Sequence, residues 1–212
     1  MSCNLKVRID FKADFTIGTG YGLAGILDNT VIKTRDHVPY IPGTTIKGNI
    51  RKSCFEISSM LNLLPEAYKP SVDKDSILAR IFGNELKEAS LCFSSAYPAN
   101  MHSIECFSSH FVQGESHNKI DWLTRTAEED HLFAYEAASR MLEYSFDITE
   151  NYISDTVLTK DEIAFLIAGI NFTDRIGAKK TRGKGKCSLQ VENFDYKEVE
   201  IWFEKILKTV KG

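Results

Sequence analysis

A run of 13 residues near the N-terminus switches polarity at every step, and no other feature restricts the fold as much. Leu5, Val7, Ile9, Phe11, Ala13, Phe15 and Ile17 fall on one face; Lys6, Arg8, Asp10, Lys12, Asp14 and Thr16 fall on the other. Period two fits a strand and not a helix, whose faces return about every 3.6 residues. The run therefore predicts a long strand over 5–17, with one covered face and one polar face.

Four glycines follow, Gly18, Gly20, Gly22 and Gly25, and they break the strand into a turn or a close approach to a ligand. An irregular stretch over about 18–41 holds Asp28, Lys33, Arg35, Asp36 and His37. After Pro42-Gly43 a helix is expected, with Thr44 or Thr45 as its N-cap and Ile46, Ile50, Cys54, Ile57 and Leu61 as its apolar face. A short helical piece over 76–83 precedes a strand over 89–97. Residues 98–140 have weak periodicity and many Ser, His and Asn, and read as an insertion, mobile in part. A third strand is expected over 141–148. Thr159 to Glu162 is a capping-box pattern before an apolar helix, and Cys187, Leu189 and Val191 alternate in a fourth strand. Residues 196–210 close the chain as an amphipathic helix.

Without its insertions (about 18–41 and 98–140) the order is β-α-β-β-α-β plus a terminal helix. This is an α+β, ferredoxin-like (RRM-like) plan with an antiparallel sheet. Residues 1–212 read as one domain. Such a sheet, covered by helices on one face, leaves the other face for a ligand, and single-stranded RNA is a common one.

The net charge of −3 means that any affinity for nucleic acid has to come from local clusters. The five cysteines are scattered and form no CxxC pair, which excludes a disulfide framework or a zinc ribbon as the organising principle. No N-terminal secretion signal and no membrane-spanning apolar run is visible, so the expectation is a cytoplasmic protein with no membrane partner.

Two clusters stand out. Residues 175–186, RIGAKKTRGKGK, hold Arg175, Lys179, Lys180, Arg182, Lys184 and Lys186 without a single acid, spaced by Gly177, Gly183 and Gly185. Glycines expose backbone N–H groups and cations attract phosphate, although a solvated basic turn has a similar composition. Residues 38–51, VPYIPGTTIKGNIR, join a rigid Pro-Gly turn to a helix N-terminus, with Lys47 and Arg51 one turn apart. That is an anion-favouring place, and also a place where ordinary surface cations occur. His102, Cys106 and His110 are spaced by four, with His117 beyond, as zinc ligands or simply as part of a polar arm.

PGTTIKGNIR and GAKKTRGKG resemble two motifs of the RAMP superfamily of CRISPR-associated proteins: P-G-S/T-S/T-L/I-K-G-x-L/I/V-R before the first helix, and G-x-x-x-x-R-G-x-G before the last strand. Ile81-Phe82-Gly83 followed by LCFSSAYP (91–98), and IDWLTRTAEEDHLFAYE (120–136), resemble segments of the repeated backbone subunit of type III (Csm/Cmr-like) effector complexes. AGILDNTVIK (24–33) is similar to the family's G-G-I/V-D-S/N-P-V/I segment and places Asp28 at the family's target-cleaving aspartate. Thr30 stands where the family usually has Pro, and Ser95 where an Asp is frequent.

The resemblance implies an RNA-binding subunit that assembles with copies of itself and other type III subunits along a guide RNA. Residues 98–140 would act as a thumb that interrupts the guide–target duplex. Asp28 would be catalytic, cutting guide-paired target RNA by attack of a ribose 2′-hydroxyl with a divalent cation such as Mg. Thr44, Thr45, Lys47, Arg51, Gly177, Lys179, Lys180, Arg182, Gly183, Lys184 and Gly185 would bind RNA. Two alternatives within the family are a non-catalytic subunit that binds or caps guide RNA, and a precursor-processing endonuclease. The basic loop is thus assigned to gripping, and the Asp28 loop, far away in sequence, to cutting.

Overall fold

The computed structural model describes residues 4–22, 27–63, 76–99, 108–154, 156–194 and 196–210. Among them the chain runs β1 (Asn4–Phe11), α1 (Gly43–Met60), α2 (Ile77–Phe82), β2 (Leu91–Phe93), β3 (Tyr97–Pro98), β4 (Val112–Ile120), β5 (Ala127–Ala138), β6 (Glu143–Glu150), α3 (Lys160–Phe172), β7 (Cys187–Val191) and α4 (Lys197–Val210). Short 3₁₀ turns occur at Ser108–Phe111 and Lys180–Arg182. The main sheet has the order β2-β6-β1-β7, every pair antiparallel, with β3 also on β6. That is the ferredoxin-like order and bears out the α+β expectation. β4 and β5 form a separate two-stranded sheet.

The alternating run builds the centre of the main sheet, though β1 is shorter than its sequence pattern. Leu5, Val7, Ile9 and Phe11 are buried, and Ile9 lies between Tyr144 and Leu189. The strand stops at Phe11 because the chain changes partners. Phe15 leaves the main sheet and exchanges backbone hydrogen bonds with Ala138 of β5 at 3.0 and 2.7 Å. The apolar face is unbroken across this change, with the Phe11 and Phe15 rings stacked 4.0 Å apart. Thr16, expected on the polar face, is buried, and its hydroxyl donates to the Glu136 carbonyl at 3.0 Å. A buried hydroxyl needs such a partner.

α1 starts at Gly43 with Pro42 in the N-cap position, not Thr44 or Thr45. The Gly43 N–H donates to the Ser95 hydroxyl at 3.2 Å, so a side chain from the β2–β3 link satisfies the first helical donor. Ile46, Ile50, Cys54 and Ile57 form the buried stripe. Where α1 crosses α3, a β-carbon on Gly169 would collide with Cys54 Sγ, so the two helices meet at close range. α3 begins with the expected capping box: Glu162 N–H donates to Thr159 Oγ1 at 3.3 Å, and Thr159 N–H returns to Glu162 Oε2 at 2.7 Å. α4 packs on α3 through Trp202, which lies 5.5 Å from Phe165.

The 89–97 strand is two short pieces, β2 and β3, and the third strand is shifted to Glu143–Glu150. The larger difference lies in residues 98–140. Among the described ones, β4 and β5 make a long hairpin with Asp121 capping its turn through the Leu123 N–H at 2.7 Å. Ile120, Trp122 and Leu123 are exposed at its tip.

The outward positions of β1, β6 and β7 are Lys6, Arg8, Asp10, Glu143, Ser145, Asp147, Thr149, Ser188 and Gln190, without one aromatic side chain. An exposed aromatic on this face is Tyr97 of β3, opposite Ser145 and stacked on Tyr40 with ring centroids 5.4 Å apart, so a stacking surface lies at the β3 edge and not on the central strands as in an RRM. Among the described residues no helix is long and apolar enough to cross a membrane.

Candidate nucleic-acid interface

Backbone geometry shapes the basic loop before its charges matter. Gly177 and Gly185 have φ of +104° and +70°. A β-carbon on Gly177 would sit 2.7 Å from the Thr16 carbonyl, and one on Gly185 would strike the Ile176 carbonyl. Both positions therefore need glycine for conformation and for clearance. The loop hangs beneath residues 14–16: Ala178 N–H donates to the Thr16 carbonyl at 2.7 Å and Gly185 N–H to the Asp14 carbonyl at 2.9 Å. Gly183, φ +82°, ends the 3₁₀ turn with open space around it, and Lys179, φ 57°, begins that turn.

The cations of the loop have different duties. Lys180 is half-buried and donates to Asn49 Oδ1 of α1 at 2.6 Å, while its carbonyl accepts from Arg175 at 2.5 Å. Burial, followed by the charge of Lys52, holds the Lys180 ammonium below the usual lysine range. Lys184 is bound to the Glu115 carboxylate of β4. Lys179 lies 3.5 Å over the ring of Tyr135 in β5, a cation–π contact. Its ammonium is held below the usual range by burial and by neighbouring Arg182, against the opposing pull of Glu115 and Asp28. Arg182 is exposed beside them.

The Asp28 segment reaches the same place from the other edge of β5. Asp28 N–H donates to the Ala134 carbonyl at 2.7 Å, and Ala134 N–H donates back to Asp28 Oδ2 at 2.8 Å. Glu136 pins residues 31–33, accepting the Val31 N–H at 3.0 Å and the Lys33 ammonium at 2.8 Å. Lys179, over Tyr135, also feels the opposing charge of Asp28. The basic loop and the Asp28 segment, far apart in sequence, thus meet adjacent residues of β5, Tyr135 and Ala134.

Lys47 and Arg51 stand elsewhere. On α1 they flank the buried stripe on one side, with Asn49, Lys52 and Glu56 on the other. Burial and the Arg51 charge lower the Lys47 ammonium, while Cys92 and Glu88 oppose this, so the pair faces β2. Thr44 is exposed and Thr45 partly so, at the start of the helix. A cleft of about 700 Å³ opens between α1, the end of α3 and the loop, lined by both signs of charge, including Lys52, Arg175 and Lys180 against Glu56 and Asp174.

Sequence reasoning missed the roles of Glu115, Tyr135, Glu136 and Lys33, and weighed His117 only as a zinc ligand. Glu115 gathers three donors: burial alone would raise its carboxyl, but Lys184, then the Tyr135 hydroxyl and His117, hold it below the ordinary range. Of the candidate zinc ligands, His102 and Cys106 lie outside the described residues and His110 lies in the 3₁₀ turn before β4. Among the described residues no three His, Cys, Asp or Glu converge as a metal cage. Burial pushes the Cys187 thiol up to about 12 and Cys54 higher still, which leaves both without a nucleophile's acidity.

The family model of the RAMP superfamily matches residues 8–188. The chain belongs to the RAMP superfamily. Among solved structures, this RAMP protein is similar to a chain in the cryo-EM structure of type III-B Cmr-beta in the apo state. The TM-score is 0.63 at 11% identity, covering 90% of this chain and 97% of that one. At that identity the likeness speaks for the fold alone. No curated protein matches the chain.

Proposed function

We propose that this RAMP protein is a guide-RNA-binding backbone subunit of a type III effector, assembled with copies of itself and other subunits, and that it cuts guide-paired target RNA at Asp28. One observation carries the reading: two cations, Lys179 and Arg182, and a carboxylate, Asp28, are brought to one stretch of β5 from distant parts of the chain. Binding needs the cations, cutting needs the carboxylate, and cleavage by a neighbouring hydroxyl needs the phosphate held in line between them. The family membership and the likeness to the Cmr-beta chain support the setting. The exposed apolar tip of the β4–β5 hairpin suits a thumb wedged between bases.

Of the carboxylates around Tyr135, Glu115 and Glu136 are held in ion pairs by Lys184 and Lys33 respectively, which leaves Asp28 as the candidate ligand, and no cage of three ligands forms among the described residues. A divalent cation working here would take Asp28 as one ligand and RNA phosphate and water as the others, as Mg commonly does. When bound it would neutralise charge on the phosphate.

The test is target cleavage by the complex reconstituted with guide RNA and complementary target, with Mg and with chelator. Asp28→Ala should abolish cutting and leave target binding within about twofold. Equal cutting by this variant removes the catalytic assignment and favours a subunit that only binds RNA.

A further inference from the structure

His117 sits on β4 opposite Phe133, and its Nε2 lies 2.8 Å from the hydroxyl of Tyr135. The two rings are nearly parallel, at 7°, with centroids 5.1 Å apart. Glu115 decides which way the hydrogen bond runs. Its Oε2 also faces His117 Nε2, at 3.6 Å, and an ionised carboxylate only accepts, so this nitrogen is the one that carries a proton. The Tyr135 oxygen then accepts from His117 Nε2–H. Glu115, itself held by Lys184, thus faces Nε2 directly beside the Tyr135 oxygen, and the other ring nitrogen, Nδ1, is the one left for chemistry. The side chain keeps 41% of its surface exposed, enough for a substrate to reach it.

Position matters as much as tautomer. Asp28 lies along one edge of β5 and His117 on the strand along the other. Neighbouring strands are about 4.8 Å apart, which sets the two backbones roughly 10 Å apart. A phosphodiester with a hydrogen bond at each end fits such a gap. Lys179, over the Tyr135 ring, and Arg182 are placed to take its non-bridging oxygens.

We propose that His117 is the general acid of the cleavage reaction, an inference that rests on the reading of Asp28 as the cutting residue. The 2′-oxygen attacks phosphorus and its proton passes to a water molecule at the Asp28 carboxylate. The bond from phosphorus to the 5′-oxygen breaks, and His117 Nδ1 gives its proton to that oxygen. The products are a 2′,3′-cyclic phosphate and a 5′-hydroxyl, and the imidazole regains its proton from water. The titratable groups in contact with His117 are Tyr135 on β5 and Glu115 on its own strand; beyond them Lys184 is bound to Glu115, Lys179 lies over Tyr135 with Arg182 and Asp28 acting on its charge, and Lys119 follows two residues along β4.

The experiment is single-turnover cleavage by the reconstituted complex, comparing wild type, Asp28→Ala, His117→Gln and His117→Ala. Glutamine keeps an N–H for Tyr135 but transfers no proton, and its rate should fall about 100-fold or more with loss of the alkaline limb of the pH profile. Added imidazole should restore part of the rate to His117→Ala. A target with sulfur in place of the scissile 5′-oxygen needs no acid, and His117→Gln should cut it at nearly the wild-type rate. A wild-type rate and pH profile in His117→Gln, or an equal deficit on the sulfur target, overturns the inference while leaving Asp28 in place. If Asp28→Ala cuts as well as wild type, the reading of Asp28 falls first and this assignment falls with it.

Discussion

The ion pair between Glu115 and Lys184 joins the hairpin to the basic loop, and its worth can be worked from the structure. Their side chains retain only 24% and 19% of their exposure, so both ions have left most of their water. At about 3 Å and an effective dielectric constant near 20, the attraction is about 5 kcal/mol. Desolvating the two ions offsets most of this. A net coupling of about 1–2 kcal/mol remains, above the ~0.2–1 kcal/mol of exposed pairs. Removing one partner costs more than the net value, about 2–3 kcal/mol, because the other stays half-buried and unpaired. The test is a double-mutant cycle of Glu115→Gln, Lys184→Met and the double variant of the free protein, by urea unfolding at pH 7 read by circular dichroism. The double variant should be less destabilised than the sum of the singles by about 1–2 kcal/mol. Coupling under about 0.3 kcal/mol refutes the tie and returns Lys184 to the RNA-gripping set.

The same carboxylate gives the sign of a pH effect. Because Glu115 is held below its ordinary value of 4.5, its stabilisation is fully present above that value and is lost as pH falls through the lower folded one; acid titration of wild type against Glu115→Gln should show that extra loss only in wild type. Gly169→Ala should destabilise by about 1–3 kcal/mol in thermal or urea unfolding, because the new methyl meets Cys54 Sγ inside the α1–α3 contact. Arg182→Met should flatten the salt dependence of RNA binding by about 0.7 log units per lost phosphate contact. Lys180→Met, whose ammonium is already engaged by Asn49, should change that slope much less and should instead lower stability.

How far the sequence discloses the fold depends on how each element stores its information. β1 and α1 were legible because one face of each is buried, which imposes a period on the residues, and α3 because a capping box precedes an apolar run that is buried all round from Ile163 to Ile170. The hairpin was not, because most described positions of β4 are exposed on both faces, so nothing forces apolar and polar residues to alternate. The alternation over 5–17 overstated β1 because a continuous apolar face does not require a continuous partner strand. The N-cap was misplaced at Thr44 or Thr45 because the donor is satisfied by Ser95, 52 residues away. In the site, the basic loop announced itself by charge and glycine. Its acceptors did not: Glu115 is 69 residues from Lys184, and Asp28 is 106 from the Ala134 that holds it.

Convergence changes how mutants in this site should be interpreted. With gripping and cutting on separate surfaces, a variant losing affinity would keep its chemical rate once saturated with RNA. Here Lys179 stands over the Tyr135 ring, within the fields of Asp28, Glu115 and Arg182. An ammonium in that position acts on two steps: it attracts the phosphate, and it stabilises the charge that grows there as the 2′-oxygen attacks. Glu115 in turn holds both Lys184 and the Tyr135–His117 pair, linking the posture of the loop to the orientation of the imidazole. The tie between hairpin and loop is therefore part of the chemistry on this reading. Loosening it should lower the cleavage rate at saturating target even where affinity is retained, which a purely structural link would leave unchanged.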